Sequence, residues 1–189
     1  VWSNRPTWPQ GKDAIIKTGQ SAPDTLDWPL WLAGTKDIGY SDTIHPFKWR
    51  GFLEWGAGAI GDMGCHHIDA PMWALGLGLP EFVTANVEDI TDIAWPRGGT
   101  VKMEWSNVPK QGPITLTWYE GKKADGSPNL PEWPAQIDMA TAFKNGKPST
   151  GGFFIVGTEG VILITTDHCT NPVIWPKQRQ DDFFATSLP

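Results

Sequence analysis

The stretch WGAGAIGDMGCHHIDAPMWAL, from Trp55 to Leu75, contains the clearest helical pattern in the chain. Apolar residues recur there at the spacing of one helix face: Ile60, Met63, Ile68, Met72 and Leu75. We therefore predict a helix from Ala59 to Gly76, inside a helical region 58–78. Pro71 should kink this helix or mark where two helical pieces meet.

Three glycines at the start of the stretch, Gly56, Gly58 and Gly61, spell G-x-G-x-x-G, the spacing of a dinucleotide-binding loop. Such a loop needs a buried strand directly before its first glycine, and the preceding WRGFLEW is interrupted by charged residues. Asp62 would also place a carboxylate where the diphosphate must lie. We expect no cofactor-binding residues here, and glycines that allow close approach of backbone or ligand.

On either side of the helix the chain changes character. Residues 1–57 form a Trp/Pro-rich lead-in that we predict to be irregular, because prolines at 6, 9, 23, 29 and 46 interrupt any long helix. From residue 80 onwards β-branched residues and period-two alternation predict strands in FVTANVEDI, TVKMEWSNV and ITLTWYEG. Residues 122–135 are expected to form a loop that folds over something. GFFIVG and GVILIT predict a hairpin whose turn, Thr158-Glu159-Gly160, needs a glycine with positive φ.

These elements predict an α+β fold, with an open, mostly antiparallel sheet over 80–189 and helices on one face. At 189 residues and 40% hydrophobic composition, one domain spanning 1–189 is the expectation. Both faces of the hairpin strands, Phe153–Val156 and Val161–Thr165, are apolar. This favours burial against a helix layer or a second subunit, and a homo-oligomer formed through the sheet.

Charge and hydropathy exclude several classes of partner. The net charge is −6 without a run of Lys or Arg, which argues against a nucleic-acid surface. No apolar stretch approaches the roughly 20 residues that span a bilayer, so no membrane partner is expected and the chain should be soluble, in a compartment that the sequence leaves open. Cys65 and Cys169 lack metal-site spacing and are predicted to be free thiols. The chain begins with Val1 and not Met, which suggests a processing point or a cut in a longer polypeptide.

Tryptophan is unusually frequent, with 12 Trp against 2 Tyr. The indole ring offers a flat apolar face that can stack on a sugar or fill a core. Core and interface filling is the expected role for most of these residues.

Helical spacing places four residues of the opening stretch on one stripe: Asp62, His66, Asp69 and Trp73. If this stripe faces a cleft, a histidine oriented by an aspartate can act as a general acid or base. A solvated face with a weak Asp62–His66 pair is an equal alternative, and a metal site formed by Asp62, His66 and Asp69 is a third. His67 points about 100° away from this stripe and is expected to be packed or to cap the helix.

The run GAGAIGDMGCHHIDAPMWAL resembles the G-x-x-x-D-x-G-x-H-x-x-D segment of the Gfo/Idh/MocA oxidoreductases, the group of glucose–fructose oxidoreductase and inositol dehydrogenase. VWSNRPTWPQG, LDWPLWLAG, HPFKWRGF, ITLTWYEG and GGFFIVGTEGVILI are similar to flanking parts of the family's sugar-acting branch. Family members join an N-terminal Rossmann domain that binds NAD(P) to a C-terminal domain built on an open sheet. That second domain closes the substrate site and often forms the oligomer interface, and this chain resembles only it.

The resemblance implies catalytic roles for two residues. Asp62 would contact a substrate hydroxyl, and His66 would accept the proton of that hydroxyl as hydride leaves to the nicotinamide. The family's catalytic Lys has no counterpart, so this chain alone is expected to bind no cofactor and to be inactive in hydride transfer. NAD or NADP is implied for a full-length parent that contains the missing Rossmann domain.

Substrate-binding candidates are the hydrogen-bonding residues Asn4, Arg5, Arg50 and Asp69, with Trp49 as a stacking plane. Alternatively, both arginines pair with surface carboxylates and Trp49 lies in the core. The first hypothesis is thus the substrate-binding and oligomerisation domain of an NAD(P)-dependent oxidoreductase acting on a sugar or polyol. The alternatives are a non-catalytic carbohydrate-binding module and part of an NAD-dependent, redox-neutral glycosidase.

Overall fold

The computed structural model describes residues 1–4 and 7–187. Its fold is α+β, with seven strands in one open sheet in the order β2-β3-β4-β1-β5-β6-β7. The strands are β1 (Trp2–Ser3), β2 (Phe82–Glu88), β3 (Gly98–Val108), β4 (Gly112–Gly121), β5 (Gly151–Val156), β6 (Val161–Ile164) and β7 (Val173–Trp175). The helices are α1 (Trp28–Leu32), α2 (Gly58–His67), α3 (Asp69–Leu75), α4 (Met139–Ala142) and α5 (Lys177–Ser187). The predicted fold class is confirmed.

The sheet consists of two antiparallel groups joined by β1. One group is the meander β2–β3–β4, and the other is β5–β6–β7. β1 pairs parallel with β4 and antiparallel with β5. The strands predicted after residue 80 are therefore confirmed, with a bulge in β3 between Trp105 and Val108.

The position of β1 in the middle of the sheet was not predicted. The lead-in contains this two-residue strand, and two residues are too few for any periodic pattern. Trp2 is fully buried, and the Trp133 ring from the 122–135 loop meets it edge-on with centroids 4.9 Å apart. That loop therefore covers the centre of the sheet, as expected of a segment that folds over something.

From residue 7 to residue 57 the lead-in is irregular, as predicted, apart from α1 and two short 3-10 turns at Gly11–Asp13 and Lys48–Gly51. It forms its own small core around Ile44 and Phe52, both fully buried. Trp28 and Trp31 stack in parallel beside this core, 4.8 Å apart. Most tryptophans of the lead-in therefore fill a core, as expected.

The predicted long helix is divided into α2 and α3, and the break falls at Ile68. Two helical pieces thus meet just before Pro71, the second of the two predicted alternatives. Pro71 lies in the first turn of α3, and because proline has no N–H it cannot donate to the backbone oxygen of His67, the last residue of α2. Gly76 ends α3 in the left-handed conformation, with φ of 64°. Met63 anchors α2 to the sheet, in a core that also contains Trp118 and Phe153.

The hairpin is confirmed, with Val156 opposite Val161 across the turn. The predicted reason for its glycine was wrong, because Gly160 does not have a positive φ. A Cβ atom at Gly160 would instead collide with the carbonyl oxygen of Trp175 in β7. Half of the apolar residues of the hairpin strands are buried within this chain, namely Phe153, Val161, Leu163 and Ile164, whereas Val156 and Ile162 are exposed.

Two further findings concern the described part of the chain. No helix there combines the length and the apolar character that crossing a bilayer requires. Cys65 and Cys169 are both free, as predicted.

Candidate functional site

The three glycines before the site serve close packing. Gly58 begins α2 with φ of 63°, and a Cβ atom there would lie 2.9 Å from the Trp95 ring. The same indole donates a 2.7 Å hydrogen bond to the carbonyl oxygen of Gly56, and a Cβ atom at Gly56 would collide with the Arg50 backbone. The aromatic ring thus covers the start of α2, where a dinucleotide loop would present free amides to a diphosphate.

Asp62 is oriented by an arginine from the lead-in. Its Oδ1 accepts a 3.0 Å hydrogen bond from the Arg50 Nε, and both side chains are about one quarter exposed. The sequence suggested an Asp62–His66 pair as one alternative, but the partner seen in the structure is Arg50. Because the Asp62 carboxylate is half-buried and held by a charged donor, it is fixed in position while still reachable from solvent.

Arg50 is itself held by aromatic rings. Its guanidinium carbon lies 4.5 Å from the Trp49 ring centroid and 4.6 Å from that of Phe47, whose backbone oxygen accepts a 3.0 Å hydrogen bond from Nη1. Cation–π contacts of this kind restrict the arginine side chain. Arg50 pairs with a carboxylate, as one alternative proposed, and Trp49 is partly buried beside the lead-in core.

His66 lies one turn after Asp62, in the last turn of α2, and is exposed. Its ring faces the exposed His168 ring edge-on at 6.0 Å, and its backbone oxygen accepts a 2.9 Å hydrogen bond from the Cys169 thiol. The segment after β6 therefore packs against the end of α2. Burial raises the pKa of the Cys169 thiol, with a smaller contribution from the Asp69 charge, so this thiol stays protonated and able to donate.

His67 is packed in the core, which is one of the two roles predicted for it. It is fully buried, its Nε2 lies 3.1 Å from Asp167 Oδ1, and burial lowers its pKa, while the Asp167 hydrogen bond opposes this shift. The neighbouring Trp118 Nε1 donates a 2.7 Å hydrogen bond to Glu120, whose pKa burial raises. Sequence analysis missed Asp167, since 100 positions along the chain separate it from His67 and no local pattern connects them.

The remaining candidates lie in different places. Asn4 follows β1, where its backbone N–H donates to the Thr150 oxygen at 2.6 Å. Arg5 lies outside the described residues. Asp69 is exposed in the first turn of α3. Among the described residues, no group of three or more His, Cys, Asp or Glu side chains is arranged to hold a metal ion.

Comparison with known proteins supports the resemblance. Residues 4–92, which include most of the lead-in and all of α2 and α3, match the family model described as "Oxidoreductase family, C-terminal alpha/beta domain" of the Gfo/Idh/MocA group. No curated protein matches the chain. The match covers Asp62 and His66, and the fold is the expected open sheet with few helices. The recognition made from the sequence is therefore confirmed over residues 4–92, which match the C-terminal α/β domain of the Gfo/Idh/MocA-family oxidoreductases.

Proposed function

We propose that this chain is the substrate-binding domain of an NAD(P)-dependent oxidoreductase that acts on a hydroxyl group of a sugar or polyol. The observation that carries the proposal is the arrangement on α2. A carboxylate fixed by Arg50 lies one helical turn from an exposed imidazole, so both can reach one small substrate.

Asp62 and His66 would have different roles in the oxidation of the hydroxyl group. Oxidation of a hydroxyl to a carbonyl removes a proton from oxygen and a hydride from carbon. His66 would take the proton, because an exposed imidazole can act as a general base. Asp62, which Arg50 keeps in place, would accept a hydrogen bond from the same or a neighbouring hydroxyl and so orient it. Asn4, Arg5, Trp49, Arg50 and Asp69 remain the proposed substrate contacts.

The described residues of this chain do not fit a nicotinamide dinucleotide. The one glycine motif of suitable spacing is packed against Trp95 and the Arg50 backbone. A separate nucleotide-binding domain would supply the hydride acceptor, and no step through it is assigned to this chain. What we assign to the chain is substrate binding, orientation and proton removal.

We also propose that the protein forms a homo-oligomer through the sheet. β2 is the edge strand next to β3, and large apolar side chains are exposed on and just before it. Leu79 is 91%, Phe82 63% and Val83 59% exposed. Contiguous exposed apolar residues on a sheet edge favour association with another surface. A second copy of the chain would bury them.

The test uses the polypeptide that also contains the nucleotide-binding domain. NADH or NADPH formation is measured with a panel of sugars and polyols for the wild type, His66→Asn, Asp62→Asn and the matched control His168→Asn. We expect His66→Asn to lower kcat by about 10²–10⁴-fold, the usual contribution of a general base, with a smaller effect on KM. His168→Asn should retain most of the activity, although its ring lies beside His66. An equal loss in both histidine variants, or none in either, would refute the assignment.

One observation favours the carbohydrate-binding module as a second candidate. Trp73 on α3 is 87% exposed, which leaves an indole face free for a sugar. In this alternative, sugars quench the tryptophan fluorescence of the 189-residue chain, and Trp73→Ala abolishes the quenching. The variants Asp62→Asn and His66→Ala bind the sugar with unchanged affinity. Cleavage of a sugar glycoside without net NADH release would instead indicate the redox-neutral glycosidase.

A further inference from the structure

The loop after β6 contacts the end of α2 at two points. The loop comprises residues 165–170, TTDHCT, and we call it the clamp loop. The Cys169 thiol donates a 2.9 Å hydrogen bond to the backbone oxygen of His66. Asp167 Oδ1 lies 3.1 Å from Nε2 of His67, the next residue of α2. Both contacts therefore fall on the last turn of α2, which carries the proposed general base.

The end of α2 needs support from outside the helix. A helix leaves its last four backbone oxygens without an intrahelical N–H donor, and helix ends fray readily. α2 ends at His67, so the backbone oxygen of His66 belongs to this group. The Cys169 thiol therefore supplies a hydrogen bond that α2 itself does not supply.

The backbone conformation of the clamp loop points to a use for the thiol. The Thr170 N–H donates a 3.0 Å hydrogen bond to the Thr166 hydroxyl oxygen, which closes the loop on itself. Between them, Cys169 has a φ of 53°, which is uncommon for a residue with a side chain. Glycine would adopt this conformation at no steric cost. The loop thus presents a thiol at a position whose backbone favours glycine.

The contact of Asp167 with His67 ties the clamp loop to the sheet. The His67 side chain is fully buried, and that of Asp167 is 29% exposed. A Cβ atom at Gly151 in β5 would lie 2.5 Å from His67 Cε1 and 2.6 Å from Asp167 Oδ1. The imidazole and the carboxylate are therefore packed directly on the β5 backbone. A shift of the clamp loop would disturb the end of α2 as well.

We propose that Asp167 and Cys169 are positioning residues that hold the last turn of α2, and with it the His66 imidazole, at the reacting hydroxyl. The inference rests on the proposed function, because the two residues act through His66 and do not contact the substrate themselves. A misplacement of 1 Å can lower a rate by about 10²-fold. Loss of these contacts should therefore lower kcat more than it alters KM.

A matched pair of variants tests the thiol donor in the polypeptide that also contains the nucleotide-binding domain. Cys169→Ala removes the donor and should lower kcat by about 10–10²-fold with little change in KM. Cys169→Ser keeps a donor in the same backbone and should restore most of kcat. Cys65→Ala removes the other thiol, from the exposed side of α2, and should keep the wild-type kcat. Wild-type kcat in Cys169→Ala, or equal losses in the alanine and serine variants, would overturn the proposal.

Stability and activity should separate at this position. Cys169→Gly removes the thiol and also relieves the left-handed conformation, so its Tm should not fall below that of Cys169→Ala, whereas its kcat should be equally low. In a double-mutant cycle, Cys169→Gly should lower kcat in the wild type but not further in His66→Asn. Additive losses would assign Cys169 a role separate from His66 and would refute the inference.

Hydrogen exchange gives a measurement that does not depend on activity. The Ile68 N–H donates to the Gly64 oxygen at 2.8 Å across the end of α2. In Cys169→Ala and Asp167→Ala this amide should exchange faster than in wild type, because the last turn opens more often. Cys65→Ala should leave the exchange rate unchanged. Unchanged exchange in both clamp-loop variants would refute this inference alone, whereas full activity of His66→Asn would refute the proposed function.

Discussion

Helix α2 has two faces with opposite properties, and its neighbouring histidines show the contrast most clearly. His66 is exposed, and His67 is fully buried against Trp118 and Asp167. The two residues have the same chemistry and adjacent positions, and only their angular offset of about 100° separates them. The imidazole on the outer face is reachable from solvent, as the proposed proton removal requires, whereas burial lowers the pKa of the inner one.

The outer face has its own support. Arg50 from the lead-in holds Asp62, and the segment after β6 holds the backbone of His66 through Cys169. The inner face anchors the helix to the sheet through Met63. We therefore expect substitutions on the outer face to alter activity and those on the inner face to alter stability.

The largest effect on stability should come from the core contact of α2. Met63 is 4% exposed, so Met63→Ala should reduce the free energy of unfolding by about 2–5 kcal/mol, because it leaves a cavity. Cys65→Ala, two positions later on the exposed side, should change it by less than about 0.5 kcal/mol. Urea unfolding of the two variants measures the difference. Similar losses would mean that the two faces of α2 are not distinct.

The next largest effect concerns the packing around His67. A Cβ atom at Gly151 would lie 2.5 Å from His67 Cε1, so Gly151→Ala should displace the buried ring and cost about 1–3 kcal/mol. Gly157→Ala is the matched control at the other end of β5, where the nearest atom is 3.6 Å away. Thermal unfolding of both variants tests this expectation, and a Gly151→Ala protein as stable as wild type would contradict the tight packing of His67.

The smallest effect is on the pH dependence of stability. Burial lowers the pKa of His67 below its ordinary value of 6.5. Between the folded and unfolded pKa values, the unfolded chain therefore binds a proton at His67 that the folded chain does not bind. The contribution of His67 is therefore fully present above pH 6.5 and is lost as the pH falls from 6.5 towards the folded pKa. Urea midpoints between about pH 7.5 and 5.5 should fall less steeply in His67→Gln than in wild type. If the urea midpoints of the two proteins fall equally with pH, His67 is not the group responsible for the pH dependence of stability.

Local patterns predicted much of this molecule. The α2–α3 region, the strands after residue 80 and the hairpin all carry long enough periodic patterns to be found from sequence. The offset of His67 from the stripe of Asp62 and His66 followed from helix geometry alone. β1 was missed because two residues carry no period, and the role of Gly160 was misassigned because the atom that requires it belongs to β7.

The sequence by itself determined the fold class, the family and the helix that carries Asp62 and His66, because each depends on residues close together in the chain. Only the tertiary structure decided which groups surround them. The Arg50–Asp62 pair, the Asp167–His67 contact and the pairing of β1 with β5 join segments that are 12 to more than 100 positions apart. Packing of distant segments sets such contacts, and a local sequence pattern contains no information about it.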